Sequence, residues 1–360
     1  MSPFYEPAWA YGGMARAVAG LCTALVRRGH EVTVATALLD GAHPLEETRS
    51  GVRVVRLRGP RWLQRRLVPW GRGLAALLED AGERFDLAHL HGLRNFLCLR
   101  AAAILRTAGV PFVLQPHGTF PHHGRHRFAK AVLDVLGGSR VVRGAGALVA
   151  VSEAEARDLP RRAWVVPNGV VVPEPMPAAE RREGVLLFVG SDHPQKGGQH
   201  LPALLASLED ASLVLVGRFS PRFASRFAAS SARFSFRGVL DPEALARAYA
   251  EASVVVHPAE GEAFGLVPFE AALVGTPSVV AGGHGCAEWF ARAGGSVVPA
   301  GDLPALVAAV RERLTDRSRG RAEAEAVAAF CRRELTWDRA AASVETLYRE
   351  VLTAHRRARA

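Results

Sequence analysis

The sequence has 360 residues, of which 49% are hydrophobic and 22% charged, and its formal net charge is +10. At roughly 100–200 residues per domain, this length predicts two domains with substantial cores rather than one packed unit. The composition is that of a soluble globular protein, and no apolar run reaches the roughly 20 residues that a membrane-spanning helix needs.

The first part of the chain alternates between helical and strand patterns. A helix is predicted from Gly13 through MARAVAGLCTALVRRG, and Gly29 stands where a glycine usually ends a helix. Five strands are predicted after it, in HEVTVATAL, VRVVRL, DLAHLH, PFVLQPHG and ALVAVS, with helical segments between several of them. This alternation predicts a parallel sheet in an N-terminal domain of residues 1–166.

A stretch rich in proline and charge, VVPEPMPAAERREG, predicts a linker at residues 167–183. The pattern then restarts with VLLFVG, SLVLVG, ARFSFRG, SVVVHP and PSVVAG, which predicts a second α/β domain over residues 184–336. A last helix, within residues 337–360, is expected to pack back toward the N-terminal domain. The predicted fold class is therefore α/β, with two Rossmann-like, doubly wound parallel-sheet domains facing across a cleft.

The beginning of the sequence departs from this plan. A doubly wound domain normally begins with a buried strand that leads into the first glycine-rich loop. Here SPFYEPAWAYGG already has the composition of that loop. The opening strand is therefore expected to be missing, or else the native start lies upstream, and the sequence leaves both open.

Two features bear on location. The N-terminus lacks the basic, apolar and cleavage regions of a secretory signal, and the four cysteines are far apart with no CxxC pair, so we expect a cytoplasmic protein with reduced thiols. The densest basic patch is RWLQRRLVPWGRG, Arg61 to Gly73. It could lie on an anionic lipid at the inner face of the membrane or meet an anionic acceptor, although an ordinary packed surface helix is the simpler interpretation.

Nucleic acid is excluded as a partner. Arginine dominates the positive charge and is spread through the whole chain. No basic platform interleaved with aromatic residues is evident, nor any nucleic-acid-binding module. A phosphorylated small molecule remains as an anionic partner.

The strand VLLFVG leads into SDHPQKGGQHLPALLASL, which places Lys196, Gly197 and Gly198 at the predicted start of a helix. A helix N-terminus carries about half a positive charge and exposed amide donors, glycine lets a phosphate approach, and lysine adds a full charge. This combination suits a diphosphate. On its own, however, KGG after a strand is a weak signal, and an ordinary surface turn would be the better interpretation.

The stretch GEAFGLVPFEAALVGTP contains two carboxylates, Glu262 in a loop and Glu270 in the first turns of a predicted helix. Ionised carboxylates accept bidentately, and sugars offer pairs of hydroxyl groups, so the two acids are candidates for binding a sugar. The amides near Phe264, Gly265 and Leu266 could face the same ligand. The alternative is an acidic first turn that complements the helix dipole.

The run EAFGLVPFEA, with seven residues between its acids and with GTP and GGHGCAE after it, closely resembles the E-x7-E signature of retaining glycosyltransferases of family 4, which have the GT-B fold. The resemblance spans most of the chain. AYGGMARAVAGLCTALVRRGHEVTVAT is similar to the family's glycine loop and first helix, LAHLHG and LQPHGTFP to its acceptor-side strands, VVPNGV to its interdomain segment and FVGSDHPQKGG to its diphosphate loop.

The resemblance implies a role for each matching residue. Glu270 would hold the ribose hydroxyls of a nucleotide sugar, and Glu262 would lie at the transferred sugar. Lys196 would neutralise the diphosphate, and His117 would line the sugar site, so Glu262, His117 and Lys196 are the expected catalytic residues. The other expected donor-binding residues are Gly12, Gly13, Gly190, Ser191, Gly197, Arg218, Phe264, Gly265 and Leu266.

One position departs from the family pattern. Many members have an arginine directly after the glycine of the diphosphate loop, whereas here Ser191 follows Gly190. A serine with the lysine retained is also familiar within the family. Neutralisation of the diphosphate would then depend on Lys196, helped by Arg218 after the next strand.

No metal and no cofactor besides the nucleotide-sugar co-substrate is expected. No DxD-like pair stands at a strand end where this fold would need a metal, and a helix terminus with Lys196 could replace a cation. The histidines of PHHGRHR, His122, His123 and His126, could in principle bind zinc, but lining the acceptor path is the favoured interpretation.

The predicted function is a retaining, hexosyltransferase-type enzyme that moves a sugar from a nucleotide-diphosphate sugar, UDP being the prior, to a hydroxyl acceptor of unknown class. No protein nucleophile is assigned, and domain closure is expected before transfer. Two alternatives stay open: a catalytically silent homologue that acts as a partner or scaffold, and a nucleotide-sugar epimerase of the same fold. Nucleotide release with and without an acceptor would separate the three.

Overall fold

The computed structural model describes residues 1–7, 12–39, 43–60, 62, 70–120, 131–172, 174, 179–230 and 233–360. The chain divides into two compact units: the first comprises Met1–Asn168 and Trp337–Ala360, and the second Gly169–Thr336. The C-terminal helix therefore packs within the first unit. Among the helices described, none is both long and apolar enough to cross a membrane.

The first unit contains two sheets. Their strands are β1 Thr33–Ala37, β2 Glu46–Arg49, β3 Val52–Leu57, β4 Ala88–His91, β5 Phe112–Gln115, β6 Ala147–Ala150 and β7 Trp164–Val165. The strand orders are β1-β3-β2 and β4-β5-β6-β7, and every pair except β2 with β3 is parallel. The hairpin strand β2 was not predicted. It is joined to β3 through Ser50 and Gly51, both at positive φ, as a tight two-residue hairpin turn requires.

The helices of the first unit lie between its strands and at its C-terminus. They are Gly13–Arg27, Leu74–Leu77, Ala81–Arg84, Phe96–Thr107, Ser139–Gly144, Glu153–Asp158 and Trp337–Arg359, with a π-helical turn at Asp134–Gly138. The first and last of these pack together at Gly20, where a Cβ atom would lie 2.2 Å from the Trp337 ring. Only glycine allows this approach.

The opening residues lie between β1 and β4. The Ser2 amide donates to the Ala35 carbonyl at 3.1 Å, and the His91 amide donates to the Met1 carbonyl at 2.9 Å. The Met1 nitrogen donates to the His89 carbonyl at 2.8 Å. The backbone thus links the two sheets here, although no strand precedes the first helix in the part of the chain that is described.

The second unit contains one six-stranded sheet. Its strands are β8 Val185–Ser191, β9 Ser212–Arg218, β10 Phe234–Gly238, β11 Val254–His257, β12 Ser278–Ala281 and β13 Ser296–Val298. All pairs are parallel, in the order β10-β9-β8-β11-β12-β13. The order runs outward in both directions from β8 and β11, which makes their junction the topological switch point where such sheets bind ligands.

Burial on both faces explains the continuous apolar runs of these strands. Leu186 and Phe188 of β8 belong to one core cluster, whereas Val185 and Leu187 belong to another. Alternate side chains of one strand therefore enter opposite layers, as in a parallel sheet covered by helices on both faces. The prediction of an α/β fold with parallel sheets in two domains is confirmed.

Helices and short turns connect the strands of the second unit. The helices are Leu201–Ala206, Pro221–Ala224, Pro242–Glu251, Val267–Leu273, Gly285–Arg292, Leu303–Thr315 and Arg317–Glu334, and 3-10 turns lie at Pro194–Lys196, Gly198–His200 and Ser225–Ser230. The local sequence determines where several of these helices begin. Asp241 and Asp302 cap the helices that follow them by accepting from the Ala244 and Ala305 amides.

Candidate functional site

Two loops meet at the switch point of the second sheet. One follows β8 and carries Lys196, and the other follows β11 and carries Glu262. Because the strands are parallel, both loops leave the same, carboxyl edge of the sheet. The Lys196 Nζ atom donates to the Glu262 Oε2 atom, so the structure joins two of the predicted catalytic residues in an ion pair.

Lys196 and Gly197 directly precede a helix, which begins as the 3-10 turn Gly198–His200 and continues without a gap as the α-helix Leu201–Ala206. Pro194 opens a 3-10 turn that ends at Lys196, Gly197 then takes a left-handed conformation with φ 72°, and the α-helix begins only at Leu201. A Cβ atom on Gly197 would lie 1.7 Å from the Pro258 carbonyl oxygen, so only glycine fits. The full positive charge at this position comes from the lysine side chain, in the turn that precedes this helix.

Backbone hydrogen bonds fasten the Glu262 loop. The amides of Glu260 and Gly261 both donate to the Gln195 carbonyl, at 2.9 and 3.3 Å, which ties this loop to the one after β8. The Gly285 amide donates to the Glu262 carbonyl at 3.0 Å. At Gly265, φ is 70° and a Cβ atom would lie 2.8 Å from the Glu262 Cγ atom, so glycine here makes room for the carboxylate.

The charges around Glu262 favour its ionised form. Its side chain is 17% exposed, and that of Lys196 is 34% exposed. Desolvation alone would raise the pKa of Glu262, but the Lys196 ammonium beside it outweighs this and holds the pKa below its usual range. Glu262 is therefore a carboxylate at neutral pH.

Two buried histidines flank this pair, and no sequence pattern predicted a role for them. His257 ends β11, and burial lowers its pKa to about 3. His284 accepts from the Ala287 amide through Nδ1, which leaves Nε2–H to donate to the Ala259 carbonyl at 3.0 Å. Burial also lowers the pKa of His284, so both rings are neutral at pH 7. GGHG was noticed in the sequence, yet capping by a histidine is too uncommon to predict.

The segment between the two acids contains backbone donors that have no acceptor in the described residues. Within the described residues, the amides of Phe264, Gly265 and Leu266 make no hydrogen bond. The first side chain of this segment is held in place: Phe264 is buried and stacks on Phe269, with 5.4 Å between the ring centroids. Three backbone amides without an acceptor therefore lie just before the helix Val267–Leu273. Fixed donors of this kind suit an anionic or polar ligand.

Glu270 lies in a different environment from Glu262. It is 1% exposed, on the helix Val267–Leu273. The Tyr249 hydroxyl, itself buried, donates to the Glu270 Oε2 atom at 2.9 Å. The Thr276 hydroxyl donates to the Tyr249 carbonyl at 2.8 Å and fixes that residue. The sequence analysis did not identify Tyr249.

The ends of β8 and β9 place the remaining diphosphate candidates side by side. Ser191 and Arg218 are register partners, as are Gly190 and Gly217. Arg218 is exposed and makes no side-chain hydrogen bond or ion pair to any residue of the described ranges. The Ser191 hydroxyl accepts from the His193 amide at 3.4 Å. A guanidinium without a side-chain partner in the described ranges thus lies on the strand next to Ser191.

His117 belongs to the first unit, in the loop after β5. It has φ 54°, unusual for a residue other than glycine, and its Nε2 atom lies 2.9 Å from the Nδ1 atom of His91. Burial lowers its pKa to about 4, so the ring is neutral at pH 7. Further ring contacts continue from His91. The His91 ring stacks on that of His89, and the His89 Nδ1 atom lies 2.7 Å from the Tyr348 hydroxyl.

Glu155 holds the loop that follows His117, and the sequence analysis did not identify it. Its buried carboxylate accepts from the Gly118 amide and, at 2.8 Å, from the Val151 amide. Desolvation raises its pKa, and these two donors partly offset the rise. The pattern S-x-x-E from Ser152 predicts a capped helix start, but not a bond to a loop 37 residues away.

Other predicted residues lie apart from these groups or outside the described residues. Gly12 has φ 84° and ψ −161° and, with Gly13, forms the start of the first helix. His122, His123 and His126 lie outside the described residues, as does most of the patch 61–73, of which Trp62 is 62% exposed. In the ranges that are described, no three His, Cys, Asp or Glu side chains are grouped as metal ligands, and the four cysteines are buried and unpaired.

Two protein-family models match the chain, one after the other. The glycosyl transferase 4-like domain matches residues 12–175, and the glycosyl transferases group 1 model matches residues 183–316. The boundary between the matches falls near the division between Asn168 and Gly169 that the structure shows.

Relatives and solved structures agree with this pair of domains. A D-inositol 3-phosphate glycosyltransferase of Xylanimonas cellulosilytica is 29% identical over 94% of this chain and 91% of its own. A sucrose-phosphate synthase of Thermosynechococcus elongatus has a TM-score of 0.76 at 23% identity, covering 95% of this chain and 94% of its own. An Anabaena protein solved with UDP and glucose has a TM-score of 0.72 at 18% identity, covering 96% and 98%.

Proposed function

Because the chain belongs to the GT-B-fold glycosyltransferases of family 4 type, we propose that it is a retaining, hexosyltransferase-type enzyme that moves a sugar from a UDP-sugar to a hydroxyl acceptor. One observation carries the proposal: the ion pair of Lys196 and Glu262 at the switch point of the second sheet, beside three unused backbone amides. Ligands of open parallel sheets bind at such points.

The cationic and dipolar groups suit the leaving diphosphate. Transfer builds negative charge on that group, and preorganised donors lower the barrier when they point to where charge develops. Lys196 and Arg218 supply full charges, and the amides of residues 264–266 supply dipoles. The ion pair with Glu262 holds the Lys196 ammonium in place, so a diphosphate that binds there would meet a lysine that is already positioned.

The two acids would take different parts of the donor. Glu262 is ionised and partly exposed, so it can accept from the sugar hydroxyls and stabilise the positive charge that develops at the anomeric carbon. Glu270 is proposed to hold the ribose, with Tyr249 fixing its carboxylate. His117 would contact the transferred sugar as a neutral donor or acceptor. No protein nucleophile is assigned, and attack on the front face assisted by the leaving phosphate would retain configuration.

The choice of UDP rests on two supports. Uridine diphosphate is the commonest nucleotide among enzymes of this kind, and the Anabaena protein of the same fold was solved with UDP and glucose. One relative is named for an inositol phosphate and one solved structure for the synthesis of sucrose phosphate, so the proposal specifies only a hydroxyl acceptor.

We also propose that transfer needs no divalent metal, because lysine, arginine and amide donors supply positive charge at the diphosphate. Activity should therefore survive dialysis against a chelator. Loss of turnover on chelation, restored by magnesium or manganese, would contradict this part of the proposal and leave the assignment of the sugar donor intact.

Incubation with a panel of UDP-sugars, with and without candidate acceptors, tests the proposal through release of UDP. Release that depends on an acceptor, with a product of the same anomeric configuration as the donor, is the expected result. Conversion of one UDP-sugar into another without an acceptor would indicate an epimerase. No turnover and no stabilisation by any nucleoside diphosphate in thermal denaturation would indicate a silent homologue.

A further inference from the structure

A cavity of about 710 Å³ lies at the edge of the second sheet opposite to the Lys196–Glu262 pair. Four of its lining residues, Gly184, Ala211, Ser253 and Pro277, directly precede β8, β9, β11 and β12. The cavity is therefore at the amino ends of the strands, whereas the proposed donor site is at their carboxyl ends. Seven residues of β8 separate the two, about 23 Å at the usual rise per residue.

Five arginines line this cavity, and they come from three separate segments. The segment before β8 contributes one, the helix Leu303–Thr315 two and the helix Arg317–Glu334 two. They are Arg181, Arg311, Arg313, Arg317 and Arg321. Three carboxylates, Glu183, Glu209 and Asp210, also line the cavity, so arginine is in excess.

Among the residues that the structure describes, two of the arginines are paired with carboxylates, and two are bonded only to uncharged groups. Arg313 is 3% exposed and bonds Glu323 at 2.6 Å, and Arg317 bonds Glu183 at 2.7 Å. Arg181 donates to the Gly275 carbonyl at 2.8 Å and to the Thr276 hydroxyl at 3.2 Å. Arg311 donates to the Ser207 carbonyl at 3.1 Å.

The fifth arginine, Arg321, makes no side-chain hydrogen bond or ion pair to the residues that the structure describes. Three guanidinium groups, those of Arg181, Arg311 and Arg321, thus line the cavity without a carboxylate partner. Backbone and hydroxyl contacts hold the first two in place, which reduces the rotamer entropy that a ligand would otherwise have to remove.

The arginines also act on one another. The pKa of Arg181 lies below its usual range, first because of burial and then because of the positive charges of Arg321 and Arg317. Like charges that lie this close raise the electrostatic energy of the residues that line the cavity. An anion with several oxygen atoms would relieve the repulsion and could accept bidentate bonds from the guanidinium groups.

We propose that this cavity is a second ligand site, which binds a small anion carrying at least two phosphate groups. The volume lies within the usual range of small-molecule sites, about 300–1,000 Å³. Two phosphates suit the arrangement because three guanidinium groups without an ion-pair partner among the described residues carry more positive charge than one phosphate group, at about −1.5 to −2, neutralises. The site is independent of the donor's own diphosphate, which would bind at the opposite edge of the sheet.

Inorganic pyrophosphate is the probe for the test, with binding to the full chain measured by calorimetry at fixed ionic strength. We expect the double variant Arg311→Gln/Arg321→Gln to bind pyrophosphate at least about tenfold more weakly than the wild type, since each charge-assisted bond contributes substantially. Orthophosphate should bind more weakly than pyrophosphate. Arg319→Gln is the matched control, because Arg319 is on the same helix but pairs with Glu312 and does not line the cavity.

A donor-site variant separates this proposal from the transferase proposal. Arg218→Gln should leave pyrophosphate binding at the cavity unchanged and weaken only UDP. If Arg311→Gln/Arg321→Gln binds pyrophosphate as tightly as Arg319→Gln does, or if the wild type does not bind it, the cavity is not an anion site. Should the double variant fail to fold, hydrogen exchange on the wild type decides: protection by pyrophosphate near residues 207–211 supports the site, and protection confined to residues 191–197 overturns it.

Discussion

The two acids of the second unit differ in what surrounds them, although only seven residues separate them. Glu262 lies in a loop, partly exposed, in an ion pair with Lys196 and next to unused amides. Glu270 lies on a helix at 1% exposure, with a tyrosine hydroxyl as its partner. The first environment can change when a ligand arrives, whereas the second is part of the folded core.

This difference shows that a sequence motif can join a residue suited to chemistry with one suited to scaffolding and binding. An ion pair at a loop can exchange partners, because a phosphate can take the lysine and a sugar can take the carboxylate. A buried carboxylate bonded by tyrosine is costly to disturb, because removing one partner leaves the other unsatisfied. Substitutions at the two acids should therefore separate catalysis from stability.

The largest effect is expected for Lys196→Ala. Turnover should fall by roughly two to three orders of magnitude, about 2.7–4 kcal/mol, as it does when one preorganised transition-state contact is removed. Arg218→Gln should lower turnover less, because Arg218 is exposed and its charge is screened by solvent. Steady-state kinetics with a UDP-sugar provide the measurement. Near wild-type turnover in Lys196→Ala would place the diphosphate elsewhere.

A smaller loss of turnover is expected for Glu262→Ala, with a changed preference between sugars that differ at one hydroxyl. The carboxylate would act mainly on charge that develops in the transition state, so kcat should fall more than donor affinity does. Its folding stability should stay close to that of the wild type, because the pair is partly exposed. Unchanged kcat with every donor would remove Glu262 from the sugar site.

For Glu270→Ala we expect a stability loss of about 1–3 kcal/mol, since the buried Tyr249 hydroxyl loses its acceptor. Donor binding should weaken equally for all sugars on the same nucleotide. Tyr249→Phe is the matched control: it removes the same hydrogen bond and leaves the carboxylate. Chemical denaturation and donor titration of both variants separate the structural effect from the ribose contact. Equal donor affinity in Glu270→Ala and Tyr249→Phe would contradict the ribose role.

A separate prediction concerns the dependence of folding stability on acid. The folded pKa of His257 is about 3, against an ordinary value of about 6.5, so between these values the unfolded chain binds a proton that the folded chain excludes. This contribution to stability is complete above about pH 6.5 and is lost progressively as the pH falls toward 3. Denaturation midpoints measured at decreasing pH should fall less steeply in His257→Gln. Identical pH dependence in that variant would show that another group controls acid sensitivity.

Much of the fold could be predicted because the strands of the second sheet are buried on both faces and appear as continuous apolar runs. β13 and β7 were missed because they have only three and two residues. β2 was missed because its sequence, Glu46–Arg49, is charged and forms an edge hairpin. Its pairing comes from the tight turn into β3 and not from hydrophobicity.

Residues of the candidate site could be predicted where they directly follow the end of a strand. Their bonding partners could not be predicted where those partners are distant in the sequence. Lys196 and Glu262 each follow a predicted strand, so their common edge could be inferred. The helix predicted to start at Lys196 begins at Gly198, because the left-handed Gly197 ends the turn that contains Lys196. Tyr249 for Glu270 and Glu155 for the His117 loop are tertiary pairings that no local pattern contains.

The central claim is that the donor diphosphate binds at Lys196, which forms an ion pair with Glu262. The most direct measurement is the affinity of UDP for wild type, Lys196→Ala and Glu262→Ala, determined by calorimetry. The claim predicts that Lys196→Ala binds UDP at least about tenfold more weakly, while Glu262→Ala binds it as tightly as the wild type or more tightly, because the lysine is released. Wild-type affinity in Lys196→Ala, or a large loss in Glu262→Ala, would contradict it.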